Sequence, residues 1–315
     1  MEEGFMDKVI ERAGQYVIFN AETGPDVATA KIADAADPKK GKFVPELISF
    51  ENFKKDKIKI GTENVMKKNY SKQETIDKHM EGVLTRDYKA DYDLLLDDYN
   101  KKIQMLAVNP PFAFVKVITM IVNTGKEREV FQFENENNTP DIEWGIIKKA
   151  VEILHSKNQG IGDFNSHAIV TFNGKRFDIP LLIERGQIRG VTNTPYSWLE
   201  RLTNRGDREG HHDMIEHRSY QNTPVNKLSL TRNLAIRFGI DFAKVQIDYV
   251  TCTMKELMFY SLDQVLKLEY WYRFHHGLSI PSVKEFLDSL PKNTEEKKVE
   301  LPDDGIELPS VQRDV

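Results

Sequence analysis

FAFVKVITMIVNTGKEREVFQFE, residues 112–134, constrains the fold most, because two runs of β-branched and aromatic residues flank NTGKE, a turn segment containing Gly125. That pattern predicts two strands closed into a β-hairpin. A second apolar run, Tyr16–Phe19, breaks into polar and turn residues in NAETGPD, as a buried strand does where it ends at a loop. Between residues 141 and 157, Ile142, Ile146, Ile147, Val151 and Leu154 recur at helical spacing, with Asp141 as the expected N-cap and Glu143 in the first turn. The strand AIVTF, residues 168–172, follows. After it a helix is expected from about Pro180 to Glu184, with the proline in the first turn, where its missing N–H costs nothing. Residues 253–277 predict a long helix. Strand, hairpin, helix, strand and further helices make an α/β chain with a mixed central sheet flanked by helices.

Residues 26–110 are rich in Lys, Asp and Glu, and Tyr92–Leu106 has helical spacing, so the segment reads as a partly helical insertion after the first strand. A single domain over 1–290 is expected, followed by a charged, proline-bearing and disordered tail over 291–315. Of the 315 residues 30% are charged and the formal net charge is -5. There is thus no global positive field, and contact with nucleic acid requires a local basic patch. The single cysteine, Cys252, excludes an intrachain disulfide framework and a paired-cysteine zinc site, and reads as a small core residue. No apolar run approaches the roughly 18–20 residues of a bilayer span, and the N-terminus has no basic, apolar leader. The expectation is a soluble, cytoplasmic protein without membrane contact.

TFNGKRFDIPLL, residues 171–182, poses the functional question. Asp178 stands at a strand-to-helix junction, where an aspartate serves as an N-cap or turn residue, or belongs to a site. FNGKRFDIPLL resembles the second motif of the 3′-5′ exonucleases of the RNase H-like superfamily, of DEDD type. It is most similar to the proofreading domain of B-family DNA polymerases and to the stand-alone, phage-type exonucleases related to it. Two further segments fit in order: FNAETGP, Phe19–Pro25, resembles the first motif, and YSLDQV, Tyr260–Val265, resembles the third. HHDM, around Asp213, is a looser match to a segment that follows the second motif.

The resemblance implies an RNase H-like fold with the site at one end of the first strand. It also implies carboxylates holding two divalent cations, Mg or Mn, about 3.5–4 Å apart, which activate water and stabilise the leaving oxygen. Carried over residue by residue, Glu22, Asp178 and Tyr260 match the family's Glu, second-motif Asp and Tyr. Asn20 and Gln264 stand where the family has aspartates. An amide keeps a neutral oxygen but loses the charge, so both ion sites are expected to be weakened. Asp263 would replace Gln264 as a ligand if the helix shifted locally or held a π-bulge, or if the motif were read from Phe259. The expected metal ligands are therefore Glu22, Asp178 and Asp263. The expected nucleic-acid contacts are Asn173, Lys175, Arg176 and Phe177, with single-stranded DNA or a 3′ end as the partner. The insertion and the tail are candidate protein-docking segments.

The remaining features read more plainly. His211, His212 and His217 are expected in a solvated polar loop rather than a metal cluster, since no His-Glu-x-x-His pattern accompanies them. The arginines of RLTNRGDREGHHDMIEHR, residues 201–218, could follow a phosphate backbone. YWYRFHH, residues 270–276, suggests core aromatics before a base-stacking platform. GIGDF lacks the Gly-Lys-Ser/Thr signature of a phosphate loop. Two functions follow: a binding or scaffolding protein on an exonuclease frame with impaired hydrolysis, or an active metal-dependent 3′-5′ exonuclease of replication or repair.

Overall fold

The computed structural model describes residues 13–38, 42–68, 70–158, 166–192, 194–204, 210–216, 230–238 and 252–289. The tail, His217, GIGDF and half of the arginine-bearing stretch after Asn204 lie outside them. A five-stranded sheet in the order β3-β2-β1-β4-β5 organises the chain. β1 (Gln15–Pro25) pairs antiparallel with β2 (Ala113–Thr124), which pairs antiparallel with β3 (Arg128–Glu134). On the other side β1 runs parallel to β4 (Ala168–Thr171), and β4 runs parallel to β5 (His211–Asp213). The expected hairpin turns at Gly125, whose φ of 82° lies in the left-handed region open to glycine, and whose N–H donates to Asn123 Oδ1 at 2.8 Å.

β1 is longer than its apolar run. It does not end at Phe19 but continues through the polar residues to Pro25, because β2 pairs with its backbone along the whole length, from Gln15↔Thr124 to Pro25↔Ala113. Between Glu22 and Thr23 the register shifts, so that Glu22 faces Val117 and Thr23 faces Val115, with Lys116 as the extra residue. β4 covers only Tyr16, Ile18 and the residue between them. Past Ile18 the β4 side of β1 is left open, because the β4 chain turns away into a helix.

The segment after β1 is more helical than expected. It forms α1 (Val27–Ala36), α2 (Phe50–Lys67), α3 (Gln73–Thr85) and α4 (Lys89–Gln104), the first two capped by the side chains of Asp26 and Ser49. α2 and α3 meet closely at Gly61, where a Cβ would sit 2.7 Å from Val83 Cγ1. The returning chain passes beside the sheet, where Thr23 Oγ1 donates to the Ala107 carbonyl at 2.7 Å.

Alternation along β1 sends its side chains to two cores. Val17, Phe19 and Ala21 pack with α5 (Pro140–Lys157), α6 (Asp178–Ile188) and α7 (Tyr196–Leu202). Tyr16 and Ile18 pack with α8 (Leu230–Phe238), α9 (Met254–His275) and α10 (Val283–Ser289). This is the mixed, helix-flanked sheet that the element order predicts, and it agrees with the RNase H-like fold that the resemblance implies. Among the described residues no helix is long and apolar enough to cross a membrane.

Local corrections have local causes. α5 is capped at Thr139 rather than Asp141, because Pro140 occupies the first helical position, for which its fixed φ is suited. Ile142 is 41% exposed, whereas Ile146, Ile147, Val151 and Leu154 are buried. α6 starts two residues before Pro180. α9 begins with a reciprocal capping box between Thr253 and Glu256. His211 is not on a solvated loop: it is buried in β5, with Nε2 2.7 Å from Thr171 Oγ1 and Nδ1 2.7 Å from the Leu202 carbonyl. The polar pair His-His hid a strand that fills the sheet edge. Tyr270, Trp271 and Tyr272 are core residues, while Cys252 is only half-buried.

Candidate active site

Asn20 and Glu22 continue the Tyr16–Ile18 row, so their side chains rise from the sheet on the α9 side. The α9 face that meets them is built at helical spacing: Ser261, Val265, Leu268 and Tyr272 are all buried. Asn20 Nδ2 donates to Glu22 Oε1 at 2.8 Å and to Ser261 Oγ at 3.2 Å. The first and third motifs are thereby brought together, through Ser261.

Asp178 arrives from the open edge of β1. It is the first residue of α6, at the positive end of the helix dipole, which favours a carboxylate. Its Oδ1 accepts the Ala21 N–H at 3.1 Å, a donor available because β4 no longer pairs with β1 there. Burial pushes the Asp178 carboxyl well above the ordinary range; the Ala21 amide opposes this, and the charges of Asp213 and Glu22 add to it. Those two charges mark its carboxylate neighbours.

Asp213, at the end of β5, is a buried carboxylate near Asp178 that motif reading left aside as a loose match. It is buried and accepts the N–H groups of Asn173 at 2.7 Å, Lys175 at 3.0 Å and Ile215 at 3.3 Å. Burial again raises its carboxyl, against those three donors. The signal in the sequence was its place one strand beyond the second motif.

The loop between β4 and α6 turns at Asn173, which carries the positive φ of 67°, rather than at Gly174. Gly174 is required for a different reason, since a Cβ there would lie 2.3 Å from Thr171 Oγ1. Lys175 is buried, with Nζ 3.1 Å from Glu216, whereas Arg176 is exposed and Phe177 packs partly against the core.

On α9, Tyr260 and Gln264 are half-buried and one turn apart. Asp263 is buried one residue before Gln264, and its Oδ2 accepts Lys267 Nζ at 2.6 Å and Gln264 Nε2 at 3.2 Å. Burial raises its carboxyl, and Lys267 and Gln264 counter that. The helix is regular from Met254 to His275, with no π turn to rotate Asp263 into the place of Gln264.

Two hard cations beside a phosphate need several anionic oxygens. Glu22 and Asp178 supply two carboxylates; Asn20 directs an N–H at one of them, Asp263 is neutralised by Lys267, and the Asp213 oxygens are taken by amides. Among the described residues no three His, Cys, Asp or Glu side chains are grouped to hold a metal ion. As placed, the described residues do not by themselves make a two-ion centre.

A family model described as a predicted 3′-5′ exonuclease related to the exonuclease domain of PolB matches residues 110–278. The chain belongs to this family. The match takes in the hairpin, the Asp178 loop and α9, and leaves Asn20 and Glu22 outside it. No curated protein and no solved structure matches the chain.

In this exonuclease-like site a neutral replacement at Asp178 has a signed consequence. A carboxyl raised in the folded state contributes stability that is present below its ordinary value and lost as pH rises through the raised value. Asp178→Asn keeps an oxygen for the Ala21 amide and removes that loss. With chelator present, the variant is expected to melt a few degrees higher than wild type at about pH 8, and the gain should vanish toward about pH 4. A gain that persists at the acid end would assign it to something other than the charge.

Proposed function

We propose that this chain holds the 3′ end of single-stranded DNA in the cleft between β1, α6 and α9, with hydrolysis weak or absent. It acts by binding or scaffolding in nucleic-acid metabolism, in the cytoplasm of a bacterial or phage-infected cell, with the 26–110 segment or the tail docking a protein partner. One observation carries the reading: the Asn20 amide donates to Glu22, occupying a carboxylate oxygen that an active site would offer to Mg or Mn. Asn173, Arg176 and Phe177, the strand contacts of this reading, lie on the loop that leads to Asp178.

The retained Glu22 and Asp178 favour a second reading, an active metal-dependent 3′-5′ exonuclease with Glu22, Asp178 and Asp263 as its acids. A time course separates the two. Oligonucleotides labelled at the 3′ or 5′ end are incubated with protein and Mn²⁺ or Mg²⁺, beside the Asp178→Ala variant. The binding reading expects a gel shift without shortening. Stepwise loss from the 3′ end that disappears in the variant would establish the enzyme, and neither shift nor shortening would remove both readings.

A further inference from the structure

Three backbone N–H groups converge on one buried carboxylate at Asp213, two of them from the loop that delivers Asp178. A chain reversal with a left-handed Asn173 turns its amides inward, and such a concavity ordinarily receives an anion. Here the anion is the chain's own side chain, supplied from the neighbouring strand. β5 pairs with β4 through Thr171↔Asp213, and the Met214 N–H donates to the Thr171 carbonyl at 2.8 Å, so the carboxylate is fixed where β4 ends and the loop begins. The loop is closed from its other side by Gly174 against Thr171, and by Lys175 Nζ on Glu216. Its far end enters α6, where the Ile179 N–H donates to the Gly174 carbonyl at 2.9 Å.

We infer that Asp213 is the positioning residue of this site: it shapes the Asn173–Phe177 loop and thereby sets the Asp178 carboxylate against β1 and presents Arg176 outward. The inference rests on the nucleic-acid reading for its functional consequence, but not for its geometry. Asp213 is bonded only to amides in this arrangement, so it acts through the loop and not on a bound strand. An Asp213→Asn side chain keeps one acceptor oxygen and exchanges the other for a donor, which cannot take a second loop amide.

The direct reporter is the Ala21 amide, which bonds to Asp178 and lies on a different strand from the substitution. In ¹H–¹⁵N spectra, Asp213→Asn is expected to move or broaden the Ala21 resonance while that of Tyr16, on the same strand, stays in place. Affinity for a 3′-ended oligonucleotide should fall about 10-fold, as expected for a loosened supporting contact. A lower melting temperature with the Ala21 resonance unmoved would reduce Asp213 to a strand-end cap and overturn the inference. Hydrogen exchange on the wild type decides the case even if the variant does not fold, since the Asn173 and Lys175 amides must both be protected, and rapid exchange at both overturns it. Should the wild type bind no oligonucleotide, the proposed function fails, whereas the Ala21 readout still decides the role of Asp213.

Discussion

Asn20→Asp combined with Gln264→Asp is expected to raise Mn²⁺ affinity on the order of 100-fold, because affinity at an oxygen site follows the number of charged ligands. The first change removes the N–H that now occupies Glu22 Oε1, freeing that oxygen as well as adding a charge. Ser261 Oγ, which accepts from Asn20, can turn its hydroxyl to donate to the new carboxylate, so the local contact survives. The second change places a carboxylate one turn after Tyr260 and releases Asp263 from the Gln264 amide, leaving it to Lys267. Without metal, the added charges stand near Glu22 and Asp178, and the variant should melt below wild type. With Mn²⁺ it should recover, because an ion that binds only the folded state stabilises it by mass action. Titration calorimetry gives the affinity and thermal denaturation with and without Mn²⁺ gives the linkage. Equal, weak binding by wild type and variant with the fold intact would mean that residues 20 and 264 do not share a site, and the alignment of the third motif on Gln264 would be lost.

That test bears on how far the site was legible. Asn20, Glu22 and Asp178 could be named through the resemblance to the family's motifs, and the structure sets two of them on β1 and one just beyond β4. What spacing does not carry is which partner satisfies each polar group. Nothing in YSLDQV says that Lys267, one turn further on, pairs with Asp263, or that Ser261 rather than Tyr260 touches Asn20. Asp213 was legible only as a loose match, since its role depends on β5 lying beside β4, 40 residues away in sequence from the Asn173 amide it accepts. Lys175 shows the reverse case. A lysine in a polar loop suggests a phosphate contact, but here the side chain is buried on Glu216.

The fold was readable where hydrophobic pattern and pairing agree, as in the β2–β3 hairpin, α5 and α9. It was misread where function places polar side chains on a strand. β1 continues through Asn20, Glu22 and Thr23 because its backbone is satisfied by β2 whatever its side chains are. Hydropathy sees the side chains alone and ends the strand at Phe19. The same holds for His211, whose polar ring is buried by being fully bonded. Sequence reasoning thus fell short at the end of β1 and at β5, where polar side chains interrupt the hydrophobic pattern that local rules depend on.

Arg185→Ala is expected to cost about 3–5 kcal/mol of stability, the range for removing one partner from a buried ion network. Arg185 is completely buried and donates from Nε and Nη2 to the two Glu143 oxygens at 2.8 Å each, from Nη2 to Asp26 Oδ2 at 2.8 Å, and from Nη1 to the Pro111 carbonyl at 2.9 Å. One side chain on α6 therefore ties α5, the cap of α1 and the entry to β2. Glu143 also accepts the Val115 N–H at 2.9 Å, so a Glu143→Leu replacement beside Arg185→Met should restore only part of the loss, unlike an isolated pair exchanged for apolar residues. Arg189 donates to both Glu143 and Asp26 and offsets some of the missing charge, but it is partly exposed and does not reach the interior position. The deficit should depend on pH. Burial works to raise the Asp26 carboxyl, but Thr29 and Arg185 outweigh it and hold it below the ordinary value, so its contribution is present above that value and lost as pH falls through the lowered one. Thermal melts should show a drop on the order of 10 °C at neutral pH that narrows in acid. Because Asp178 opens the helix on which Arg185 sits, the Ala21 amide should also lose exchange protection. A melting temperature equal to that of wild type would mean that Arg189 alone satisfies both carboxylates, and that α6 is held in place by its apolar face without help from the ion network.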